Sequence, residues 1–167
     1  MCFFKRRQPV RLTVYTDYAL RMLMYLALKD GELATITEVA DKYGISRNHL
    51  MKVAYQLGAA GYVETVRGRG GGMRLGKDAA AIGLGEIVRH TEPDMALVPC
   101  FEAADTSCVI RRCCVLQRAL GEARHAFLDV LDDYSLSDLV ERPGPLRKLL
   151  ALAPITAKNR VRAKASH

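Results

Sequence analysis

The chain has 167 residues, half of them hydrophobic, which is enough for one core-bearing domain with a helical appendage. No apolar run approaches the roughly 20 residues of a membrane helix. The start, MCFFKRRQPV, lacks the apolar segment of a secretory signal. A cytoplasmic protein with no membrane partner is expected, where thiols stay reduced and clustered cysteines bind metal more often than they form disulfides. The net charge of +7 is concentrated at the ends, in Lys5, Arg6 and Arg7 and in six cations after Pro143, and without these nine the body is near −2. Bulk charge is therefore weak evidence for nucleic acid, and local clusters must carry that case.

Residues 1–9 read as a detached extension. A helical period begins at Thr16, with Ala19, Leu20, Leu23, Met24, Leu26 and Ala27 on one face. Thr16 is the expected N-cap, Asp17 suits the positive helix end, and Asp30-Gly31 is the stop. A second helix is expected over Thr37–Tyr43, capped by Thr35 or Thr37 and broken by Gly44. Ser46 is the expected cap of a third, with Leu50, Val53, Ala54 and Leu57 inward and an end near Gly58 or Gly61.

Two strands follow, Tyr62–Val66 and Met73–Leu75, joined by the permissive turn RGRGGG. A short helix fits Leu84–His90, stopped by Glu92-Pro93. Almost twenty residues without a period come next, the kind of long loop that is usually functional or disordered. From Cys114 a long helix carries the apolar stripe Leu116, Ala119, Leu120, Ala123, Phe127, Val130, Leu131 and Tyr134, which Leu136, Leu139 and Val140 extend. Pro143-Gly144-Pro145 is the expected stop. The resulting division is a DNA-binding domain over 10–92, a cysteine loop over 93–113, a helical region over 114–142 and a largely disordered basic tail over 143–167.

Helix, turn, helix and hairpin make a mainly α fold with a small β-hairpin wing, the plan of a winged helix-turn-helix. Its second helix places its first residues at base edges of the major groove. Here those are Ser46, Arg47, Asn48 and His49, with Lys52 one turn on. Arginine and asparagine suit guanine and adenine respectively. The wing, Arg67 to Lys77, holds Arg67, Arg69 and Arg74 and no acid, and Gly70 and Gly71 let the backbone approach the duplex. Singly, each of these residues is more simply a solvated polar side chain, His49 above all. Together they point to double-stranded DNA.

Four of the five cysteines, Cys100, Cys108, Cys113 and Cys114, lie in the loop or at its end. Seven residues separate Cys100 from Cys108, and five separate Cys108 from Cys114. Zinc sites use tighter pairs. Loosely spaced thiolates suit a larger group, an iron-sulfur cluster, although inert or merely reactive thiols fit the spacing too.

Read together, RLTVYTDYALRMLMYLA, SRNHLMKVAYQLGAAGYVETVRGRGGGMRLG and the three spaced cysteines resemble a family of winged-helix iron-sulfur transcriptional regulators that contains IscR. The likeness spans Arg11 to Leu150 and is strongest for its nitric-oxide-sensing repressors. SRNHLMK and GYVxxVRGxxGGxRLG are its specific parts. The resemblance implies that Cys100, Cys108 and Cys114 hold the cluster, Cys114 rather than Cys113 because CVLQRAL matches the cysteine opening the family's long helix. It implies Asp17 of the other subunit as a fourth ligand; the alternative is an aspartate serving only the helix dipole. It implies a homodimer through the long helix, a palindromic operator, and nitric oxide as the signal that releases DNA. The weak fourth ligand favours 4Fe-4S over 2Fe-2S. Family members begin just before RLT, at the position of Val10, which leaves residues 1–9 outside the pattern.

An IscR-like regulator sensing cluster supply or redox state is the alternative. Its histidine ligand, three residues after the last cysteine, is Gln117 here. An enzyme is disfavoured, since the chain has no C-x-x-C pair, nucleotide-binding glycine motif or carboxylate pair. A zinc-stabilised interaction module is the remaining class.

Overall fold

The structure, a computed structural model, describes residues 11–101 and 108–152. The expected extension over 1–9, the middle of the cysteine loop and the tail beyond 152 lie outside them.

Helix α1 runs Val14–Leu28 and is capped by Thr13, whose hydroxyl accepts from the Thr16 N–H at 3.2 Å. Thr16, the expected cap, instead lies buried in the first turn. The reason is tertiary: its hydroxyl donates to Glu92, 76 residues away. Asp30 and Gly31, at φ 51° and 85°, end the helix in the left-handed region. Helix α2, Ile36–Tyr43, has a capping box in which Thr35 accepts from the Glu38 N–H and Glu38 reaches back to Thr35. Gly44 closes it at φ 65°. Helix α3, Arg47–Ala59, buries Leu50, Val53, Ala54 and Leu57. Ser46 holds its N-cap position without a side-chain cap bond.

Strands β1, Val63–Val66, and β2, Gly72–Leu75, pair antiparallel with Glu64 opposite Arg74. Ala34 bridges to Met73, so the segment leading into α2 extends the hairpin. A Cβ at Gly72 would lie 2.8 Å from the Ala34 carbonyl, too close for any other residue without a shift. Met22, Leu23, Tyr25, Leu26, Leu50, Val53 and Leu57, all fully buried, form the core that sets the helix-turn-helix angle.

Helix α4, Leu84–Thr91, follows a short 3-10 turn over Ala79–Ala81. Helix α5, Val115–Asp132, has no buried residue. Its apolar stripe stands open, with Leu116 at 64% and Phe127 at 44% exposure. The stripe ends at Tyr134 and does not continue through Leu136, as the sequence led us to expect. The chain turns there, the Leu136 N–H donates to the Ile82 carbonyl, and Leu136 is buried in the helix-turn-helix core. Helix α6 is Leu136–Leu139. Pro143, expected to stop a helix, starts one: α7, Pro143–Leu149, occupies the beginning of the stretch read as a tail. Proline at the first helical position lacks only an N–H that has no partner there. Arg147 donates to the Leu28 carbonyl at the end of α1, and Leu150 and Leu152 pack against the core.

Candidate DNA interface and cysteine site

Ser46, Arg47, Asn48, His49 and Lys52 are all exposed at the start of α3. The cap bond that Ser46 does not make leaves its hydroxyl available. His49 is turned toward α1, its ring 6.0 Å from the Tyr18 ring. Arg67 and Arg69 are exposed on the wing, and Gly68 and Gly70, at φ 104° and 77°, supply the left-handed backbone of its tip. A Cβ at Gly71 would strike the Val66 carbonyl.

Arg74 differs from the other two wing arginines. Its Nε donates to Glu64 Oε2 at 2.8 Å across the strands, and this bond holds the Glu64 carboxyl below its usual range. The expectation of a wing without acid omitted Glu64 because it lies on β1, before the turn. At the wing's root, the Tyr62 hydroxyl donates to Glu86 of α4 at 2.6 Å, and Lys77 lies 4.5 Å above its ring. Burial first, then Glu86, push the Tyr62 phenol up to about 12. These contacts tie the hairpin to α4.

Sequence reasoning missed Met51 and Tyr55. They are large, exposed, and on the outward side of α3. The available signal was their spacing, three and seven residues after Asn48.

Cys100, Cys108 and Cys114 are partly buried free thiols, and Cys113 is exposed. Cys100 lies in the 3-10 turn Pro99–Phe101, and Cys114 is the N-cap of α5. The Cys114 Sγ accepts from the Gln117 N–H at 3.4 Å, while the Gln117 side chain donates to the Cys100 carbonyl at 3.2 Å. Gln117 thus links Cys100, within the loop, to Cys114 at its end. The Cys113 thiol lies 3.5 Å from the Ile110 carbonyl, and Cys113 lines the same pocket as Cys114 and Gln117. Among the described residues, no three Cys, His, Asp or Glu side chains converge as a metal site.

Asp17 is half-exposed in the first turn of α1 and accepts from Arg21 Nε at 2.9 Å. A surface pair of this kind is weak and readily exchanged. Glu92, also missed, accepts from the Thr13 N–H at 2.8 Å and the Thr13 hydroxyl at 3.1 Å. Since residue 93 opens the loop, this carboxylate joins the loop's entry to the start of α1. At the far end of α5, Arg89 of α4 grips both carboxylate oxygens of Asp132. Gly85 leaves room for this contact, because a Cβ there would collide with Asp132.

The Rrf2 family, described as "Iron-dependent Transcriptional regulator", matches residues 12–142. The chain belongs to the Rrf2 family. Its relatives include the HTH-type transcriptional regulator NsrR of Bacillus subtilis, 53% identical over 144 residues, covering 86% of this chain and 99% of that protein. NsrR of Bacillus licheniformis is 51% identical over 143 residues, covering 85% of this chain and all of the relative. Among solved structures, T. potens IscR superposes with a TM-score of 0.66 at 23% identity, covering 83% of this chain and 92% of that one. That likeness establishes the winged-helix fold of an Rrf2 protein and no more. Rrf2 membership makes the chain a transcriptional regulator and not an enzyme.

Proposed function

We propose that the protein is a nitric-oxide-sensing repressor that binds palindromic operator DNA as an iron-sulfur homodimer. The observation that carries this reading is the triad Cys100, Cys108 and Cys114 in a chain about half identical to NsrR over the relative's full length. Three free, partly buried thiols are a soft donor set that suits an iron-sulfur cluster. The open apolar stripe of α5 supports a dimer built along that helix. Asp17, paired among the described residues with Arg21 at the surface, is available as a fourth ligand from the partner subunit.

When bound, the cluster supplies iron that reacts with nitric oxide. The chain's own part is to hold three thiolates and to bind DNA through α3 and the wing. Arg89 and Asp132 couple the end of α5 to α4, and Tyr62 and Glu86 couple α4 to the wing. These contacts join α5 to the DNA face and offer an alternative route to the one in which Asp17 ties to the partner subunit's cluster. With a carboxylate as the fourth ligand, 4Fe-4S is the favoured cluster. An IscR-like supply sensor gains no support from Gln117, which bonds backbone at Cys100. Anaerobic purification tests the reading: a brown protein whose visible absorption is bleached by nitric oxide is expected, and a colourless zinc protein would overturn it.

A further inference from the structure

The outward face of α3 carries two large side chains that the packing of the described residues leaves out: Tyr55 is 76% exposed and Met51 52%. At 3.6 residues per turn, Tyr55 stands within roughly 20° of Asn48 around the helix axis and roughly 10 Å further along it. It therefore occupies the centre of the face opposite Leu50, Val53, Ala54 and Leu57, with Met51 and Lys52 on either side. Met51 and Tyr55 also line one apolar cleft with Ile36, Ala54 and Met73, between α2, α3 and the hairpin.

The surroundings select the occupant. Arg47 and Lys52 on the same helix, and Arg67 and Arg69 on the hairpin that borders the cleft, are exposed cations. An apolar protein surface would have to cover those charges. A duplex places phosphates against them and offers one apolar group in its major groove, the 5-methyl of thymine. Asn48 and Tyr55 lie about two turns apart on one face, a separation comparable to that over which a zinc-finger helix reads three successive bases. We infer that Met51 and Tyr55 are base-reading residues that form an apolar seat for a thymine methyl group, one to two turns along α3 from Arg47 and Asn48. The inference rests on the DNA-binding reading above.

The test uses the full chain, purified anaerobically, and a duplex that it selects from a randomised library. Each thymine of the selected half-site is replaced by uracil, which removes the methyl and leaves base pairing intact. At one position the wild type should lose about fourfold in affinity per half-site, and about 15-fold when both half-sites are changed, as expected for one buried methyl. Met51→Ala and Tyr55→Ala, checked by circular dichroism and melting, should bind the thymine duplex more weakly and lose sensitivity to the substitution. Met51→Leu should keep it. Equal wild-type affinity for every uracil duplex, or full sensitivity retained in both alanine variants, would overturn the inference and leave the pair to a protein partner. If no duplex is selected at all, the DNA-binding reading itself fails and takes this one with it.

Discussion

Glu92 accepts a hydrogen bond from the Thr13 N–H at 2.8 Å, joining the last residue before the cysteine loop to the cap of the first helix. The same carboxylate takes the hydroxyl of buried Thr16. It thus satisfies one of the orphan donors that every helix start leaves. Glu92→Ala should destabilise the fold by roughly 1–3 kcal/mol, combining a lost cap with a buried hydroxyl left unpaired. Glu92→Gln, which keeps an acceptor, should cost less. Urea unfolding checks this: the midpoint should fall with the slope unchanged, and an unaltered midpoint in Glu92→Ala would refute it.

The wing arginines should not be equivalent. Arg69 is exposed, while Arg74 is bonded to Glu64. Arg69→Ala should weaken DNA binding and, if it meets a phosphate, reduce the salt slope by roughly 0.9. Arg74→Ala should change binding less, because its charge is already offset. Titrations at several salt concentrations decide, and a larger loss in Arg74→Ala would reverse the ranking.

Cys100→Ala, Cys108→Ala and Cys114→Ala should each abolish the chromophore and cluster-dependent DNA binding. Cys113→Ala should retain most of both, since its thiol is already engaged with the Ile110 carbonyl. Visible absorption and iron content read this out. Full occupancy in Cys108→Ala, or total loss in Cys113→Ala, would contradict the ligand set.

Asp17→Ala should still dimerise through Leu116, Leu120, Phe127 and Leu131. At equal cluster loading its DNA affinity should respond much less to nitric oxide than the wild type's. A full response would mean that the signal runs instead through the loop into α4 and the wing, by way of Glu86 and Tyr62.

The elements of the DNA-binding half were legible because local signals and burial agree there. Gly44, Gly61 and the Asp30-Gly31 stop fall where the chain turns, and the residues expected inward on α3 are the buried ones. Two of the errors come from tertiary contact and one from position within a helix. Thr16 has the chemistry of a cap, but Glu92 claims it from 76 residues away. Leu136 continues the helical period of α5 in sequence, yet the bond to Ile82 redirects it into another core. Pro143 is a stop in a helix interior and a start at its first position. At the site, residue type and spacing marked the cysteines and the exposed cations. Partners such as Gln117 for Cys114, Glu64 for Arg74 and Glu92 for Thr13 depend on the folded geometry and carry no motif of their own.

The central claim is tested most directly by measuring DNA affinity during a nitric oxide titration. The anaerobically purified full chain is bound to its selected duplex, and fluorescence anisotropy and visible absorption are followed in the same cuvette. Affinity should fall in step with loss of the visible bands, by a factor within the roughly 5- to 150-fold usual for coupling between two sites. Unchanged affinity after the absorption is fully bleached would contradict the account.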